Sequence, residues 1–78
     1  MRKIERDMMQ AIHAHTAWRK DNTEVKPIDA ERVAVYLFGN HIADVHSYTG
    51  QPTVNHTTLA DWPTRTTRSR LRAMGANI

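Results

Sequence analysis

Residues 31–48 read ERVAVYLFGNHIADVHSY, and the folding of this stretch decides the architecture around it. Val33–Phe38 is a β-branched and aromatic run. His41–Tyr48 is a second run, mixing apolar with polar residues, and Gly39 and Asn40 separate the two. Two such runs joined by glycine and asparagine predict a two-residue hairpin, because glycine takes the positive φ of the first turn position without steric cost. In that register Leu37 faces Ile42 and Tyr36 faces Ala43. One face then collects Val33, Val35, Leu37 and Ile42, and the other collects Ala34, Tyr36, Phe38, Ala43 and Val45. Both faces are apolar. A covering partner over Tyr36, Phe38 and Val45 is therefore expected, either another protein or a second copy in a homodimer.

Downstream, TGQP (49–52) reads as a turn and TVNHTTL (53–59) as a weaker third strand. Three antiparallel strands are the smallest sheet with independent stability. Upstream, residues 4–18 predict a helix. With Ile4 as origin, Met8, Ala11, Ile12, Ala14, His15 and Trp18 fall within about 80° of it on a helical wheel, one continuous apolar face. The helix is expected to end near Trp18–Lys20, where Arg19 and Lys20 suit the negative end of its dipole. KDNTEVKP (20–27) then reads as a connection rich in turn formers.

TRTTRSRLRAMG (64–75) is the last element. Thr66 or Thr67 is a suitable N-cap, Leu71 and Met74 are spaced to pack, and Gly75 stands where a helix stops in a left-handed residue. The expected fold is thus a single α+β domain over residues 1–78, α-β-β-β-α, with a three-stranded antiparallel sheet and both helices packed on one face. A chain of 78 residues without cysteine has only its apolar core to stabilise it, extended at most by an oligomer interface.

Charge is concentrated at the end of the chain. Residues 62–78 carry four arginines and no acid, whereas the 61 residues before them carry seven bases and eight acids. Arg68, Arg70 and Arg72 border the apolar stripe of Leu71 and Met74, where aliphatic stems can cover core edges while the guanidinium groups reach water. The sharper reading makes Arg65, Arg68, Arg70 and Arg72, with Thr66 and Thr67, a surface for an acidic protein or for phosphates. Like-charged Arg68 and Arg72, four apart on a helix, repel each other weakly, and an anionic partner would relieve that.

Other chemistry is hard to find. His13 and His15 lie about 160° apart on a helix and cannot chelate one ion together, and His41 and His46 fall on opposite faces in the hairpin register above. His15 reads as a hydrogen-bonded core histidine. No metal site, cofactor or catalytic residue is expected: Ser-His-Asp sets, phosphate loops and paired carboxylates are all missing from the pattern. Charges run throughout Met1–Arg19, and apolar runs are short. The expectation is a cytosolic, non-membrane protein without a signal peptide.

Three segments, NTEV (22–25), VYLFGNHIA (35–43) and WPTRTTRSRLRAMG (62–75), together resemble a family of small proteins of tailed bacteriophages. The family pattern has a leading amphipathic helix, a Gly-Asn hairpin and a Trp-x-Thr-x-Thr-Thr-(Lys/Arg)-Ser-Arg-Leu ending. Matching positions are Asn22, Thr23, Val25, Val35, Tyr36, Leu37, Gly39, Asn40, Ile42, Ala43, Trp62, Thr64, Thr66, Thr67, Arg68, Ser69, Arg70 and Leu71. Pro63 and the long segment SYTGQPTVNHTT (47–58) depart from it. The resemblance implies a phage protein working in the cytoplasm of an infected bacterium, and it supplies no catalytic residues. The resulting expectation is a non-enzymatic accessory protein that modulates a host or phage macromolecule through protein–protein contact. The alternative is a nucleic-acid-binding accessory protein that uses the basic C-terminal helix.

Overall fold

Lys3–Ala14 forms α1, and five strands follow it: β1 (Trp18–Lys20), β2 (Thr23–Pro27), β3 (Arg32–Leu37), β4 (Asn40–His46) and β5 (Pro52–Val54). The chain ends in α2 (His56–Asp61) and α3 (Arg65–Ala73). These elements come from a computed structural model, which describes residues 2–78. The strands form an antiparallel meander in the order β1-β2-β3-β4-β5. The expected α-β-β-β-α arrangement is therefore corrected to five strands and three helices.

Two extra strands come from the segment read as the end of a helix and a loop. The left-handed turn comes early, at His15 (φ 55°), whose N–H bonds to Ile12 O while Thr16 N–H bonds to Ala11 O. This closes α1 at Ala14, four residues short of Trp18, and leaves Trp18 in a strand. Asp21 and Asn22 then turn the chain, with Asp21 at φ 53°, and β1 pairs with β2 from Lys20↔Thr23 to Trp18↔Val25. Thr23 and Val25 are buried while Glu24 and Lys26 point the other way, the alternation of a half-buried strand. At the far end, only Pro52–Val54 of the expected third strand is extended. Asn55 caps α2 through its side-chain oxygen, which accepts Thr58 N–H at 3.1 Å.

The central hairpin exists, but its register differs. Phe38 (φ 51°) and Gly39 (φ 79°) are the turn residues, and Leu37 pairs with Asn40. Positive φ at both positions is the pattern of a type I′ turn, whose twist matches that of the strands. Tyr36 pairs with His41 but Val35 pairs with Ala43, so Ile42 is an extra residue in β4. This bulge turns both Ile42 and Ala43 inward.

One row of residues crosses the whole sheet on its inner face: Trp18, Val25, Val35, Ala43 and Val54. Against that face pack Met8, Ala11 and Ile12 of α1 and Leu71 and Met74 from α3 and its cap, with Leu59 of α2 at the margin. The opposite face is polar. Arg19, Glu24, Tyr36 and His41 make one row across it, and Lys26, Ala34, Asp44 and Thr53 the next. Lys26 Nζ lies 5.2 Å from the centre of the Tyr36 ring, and His41 Nε2 is 2.6 Å from Asp44 Oδ1.

The apolar outer face expected to carry Tyr36, Phe38 and Val45 is thereby corrected. Val45 is fully buried in the core, Tyr36 stands half-buried among charged neighbours, and Phe38 is at the exposed hairpin tip. The bulge also places His41 and His46 on the same outer face, not on opposite ones.

Candidate binding surface on the C-terminal helix

α3 starts earlier than Thr66. Thr64 is its N-cap: the hydroxyl oxygen accepts Thr67 N–H at 3.1 Å and shares a hydrogen bond of 2.9 Å with the Thr67 hydroxyl. At the other end Gly75 (φ 96°) donates its N–H to Arg72 O and Ala76 to Leu71 O, a Schellman cap. Arg70 and Arg72 lie in the last turn, where the helix dipole favours cations, and the earlier start puts Arg65 in the first.

The four arginines separate into two groups. Arg70 is buried with its side chain 4% exposed, and its Nη1 donates to Glu5 Oε2 at 2.8 Å. Its Nε donates to Thr23 Oγ1 at 3.1 Å, and Thr23 in turn donates to Asn22 Oδ1 at 2.9 Å. Glu5 also accepts the Ser69 hydroxyl and, at 3.4 Å, Arg2 N–H. One buried ion pair thus joins α1, α3 and β2. Burial of Glu5 raises its pKa, but the hydrogen bonds from Ser69, Arg70 and Arg2 outweigh this and hold the carboxyl below its ordinary value. Arg70 is a fold-stabilising residue, and its guanidinium faces the core, not water or a partner.

Arg65, Arg68 and Arg72 lie together on the outer flank of α3. With Arg2, Glu5, Ser69 and Ala73 they line an open cleft of about 550 Å³ between α3 and the start of α1. Four guanidinium groups border this cleft, and its one carboxylate, Glu5, is already engaged by Arg70 and Ser69. Arg72 Nε also donates to Ile78 O at 2.9 Å. Arg2 could not have been found from the chain pattern near α3, because it reaches the cleft only through the packing of α1 on α3.

Thr66 and Thr67 belong to the other flank. With Thr64, Leu37, Phe38, Asn40, Ile42 and Trp62 they border a second cleft of about 560 Å³ at the hairpin tip. Thr67 is itself buried in the capping interaction, so Thr66 and Thr64 supply the hydroxyls at that rim.

Three of the histidines make contacts within the fold. His15 Nδ1 lies 2.7 Å from the buried Ser47 hydroxyl, and His13 Nδ1 lies 3.4 Å from Ser47 O. The left-handed turn at His15 brings both rings toward one residue. His46 Nε2 lies 3.2 Å from Glu31. Among the described residues, no group of three or more His, Asp or Glu side chains is placed to hold a metal ion, and no helix is long and apolar enough to cross a membrane.

Neither a curated protein nor a solved structure matches this chain. A family model described as Kyanoviridae Gp96 protein matches residues 1–78, the whole chain. Its coverage agrees with the tailed-phage resemblance carried by the hairpin and the C-terminal segment, and the chain belongs to the Kyanoviridae Gp96 family of tailed-phage proteins.

Proposed function

We propose that this phage protein is a non-enzymatic accessory protein that binds an acidic surface on a host or phage protein in the cytoplasm of the infected bacterium. The observation that carries this reading is the gathering of Arg2, Arg65, Arg68 and Arg72 around one open cleft whose only carboxylate is already paired. Arginines in such a setting can form bidentate bonds to carboxylates and are less strongly hydrated than lysines, so they desolvate more readily in an interface. Charges at the rim of an interface act mainly by steering association.

A nucleic acid would use the same cations, and the surroundings favour a protein. Asp21 and Glu24 line the cleft on the far side of Phe38, together with Arg19 and Gly39. A phosphate backbone leaving the arginines past the hairpin tip would meet these acids.

The triple variant Arg65→Gln, Arg68→Gln, Arg72→Gln separates the readings. Its stability should stay within about 0.5 kcal/mol of wild type, since none of the three side chains is buried. Affinity capture from infected-cell lysate, with and without nuclease, should yield a partner that survives nuclease, is released by salt and is lost with the triple variant. Capture abolished by nuclease would overturn the proposal. So would DNA binding whose logarithmic salt slope is near −3 and vanishes in the triple variant, the mark of about three phosphate contacts.

A further inference from the structure

Phe38 occupies a costly position for an aromatic residue. It is the first of two turn residues with positive φ (51°), where asparagine, aspartate or glycine fits with least strain. Its N–H is satisfied by Asn22 O at 2.8 Å, so the backbone of the tip is held firmly. The residue is 71% exposed and lies outside the core cluster. A strained conformation that presents an exposed aromatic ring has no return within the fold, and it points to a use outside it.

Trp62, 54% exposed, is the second aromatic of the same cleft. The nearly buried Leu37 and Ile42 supply an aliphatic base to the cleft, and Thr64 and Thr66 edge it on the α3 side. Arg65 lies between those two threonines in the chain, yet its side chain lines the cationic cleft on the other flank. The first turn of α3 is therefore a ridge with an apolar cleft on one side and arginines on the other. A segment laid across that ridge would reach both.

We propose that the Phe38–Trp62 cleft receives one aliphatic side chain from an acidic segment of the partner protein, while neighbouring carboxylates of that segment meet Arg65, Arg68 and Arg72. This rests on the acidic-partner reading above and adds a specificity element to it. Charge complementarity selects the segment, and the apolar cleft selects the residue within it. The cleft is concave and apolar at its base, which suits an inserted aliphatic side chain.

Fluorescence anisotropy with two labelled synthetic peptides tests the proposal. One is a short run of glutamates with a single central leucine; the other has glycine in place of the leucine. Wild type should bind the leucine peptide at least about ten-fold more tightly, the scale of one interface anchor. Phe38→Asn and Trp62→Ala should erase that preference and leave the glycine peptide unchanged, and Phe38→Asn should raise Tm by several degrees, because asparagine tolerates the left-handed turn. The triple arginine variant should lose both peptides. Equal binding of the two peptides by wild type, or an undiminished preference in Phe38→Asn, would overturn the cleft proposal and leave the acidic-partner reading standing. Failure of wild type to bind either peptide, or tighter binding of an oligo-thymidine of similar charge, would overturn both.

Discussion

Replacing Arg70 with alanine should destabilise the fold by about 3–5 kcal/mol, the cost of leaving a buried charge without its partner. The whole domain has of the order of 4–12 kcal/mol to lose, so the variant is expected to be partly unfolded at moderate temperature. Two groups lose a partner at once, the Glu5 carboxylate at 2.8 Å and the Thr23 hydroxyl at 3.1 Å, and with them goes a link that holds α1 and α3 to β2. Glu5→Gln combined with Arg70→Met should cost less than Arg70→Ala alone, because it removes both buried charges together.

The pH dependence has a definite sign. Glu5 has a folded-state pKa below its ordinary value of 4.5, so its contribution to stability is fully present above that pH. It is lost as the pH falls through the lower folded-state pKa. In Arg70→Ala, burial acts on Glu5 with less opposition and pushes the carboxyl upward, which favours the protonated folded form. The stability gap between wild type and Arg70→Ala should therefore narrow as the pH drops below about 4.5. Urea denaturation across that range checks both the size and the direction. An unchanged midpoint at pH 7 would mean that the pair does not hold α3 to α1.

Ile12→Ala should cost about 2–5 kcal/mol. Ile12 is fully buried, in the same core cluster as Val25, Val35 and Leu71, so truncation leaves a void between α1 and the inner sheet face. The sheet beneath it is a fixed meander with little freedom to collapse into that void. Thermal unfolding followed by circular dichroism should show a fall in Tm of about 10–30 °C, at roughly 4–8 °C per kcal/mol for a domain of this size. An unaltered Tm would mean that α1 is not docked on this face.

The parts of the fold that were legible in the sequence carry strong local patterns. Met8, Ala11 and Ile12 repeat at helical spacing, Val33–Leu37 is rich in β-branched residues, and Leu71, Met74 and Gly75 mark a packed helix with its stop. What was not legible depends on single residues adopting positive φ. His15 has the spacing of one more helical residue, yet its left-handed conformation ends α1 and frees Trp18 for the sheet. Phe38, not Asn40, joins Gly39 in the turn, and beyond the bulge at Ile42 the pairing runs one residue off the expected register, with Val45 opposite Val33 instead of Ala34. With that one-residue displacement, Val45 moves from the outer face to the core, since neighbouring strand residues point to opposite sides. β2 was obscured by its polar alternation, in which Val25 is the one strongly apolar residue to enter the core cluster.

The arginine-rich segment was legible as a charge concentration and not as a division of labour. Local spacing cannot tell Arg70 from Arg68 or Arg72, because all three border the apolar stripe. Glu5 makes the difference, and it lies 65 positions away in the chain. The same long-range packing of α1 adds Arg2 to the cleft.

The central claim is that the two flanks of α3 form the binding face and that the outer sheet face is an ordinary hydrated surface. Amide chemical-shift mapping of the isotope-labelled protein, titrated with the leucine-bearing glutamate peptide, tests it most directly. Shift changes should concentrate at residues 2, 37–42 and 62–73, with Lys26, Ala34, Tyr36 and Asp44 unmoved. Changes centred on that second group, with residues 62–73 silent, would contradict it.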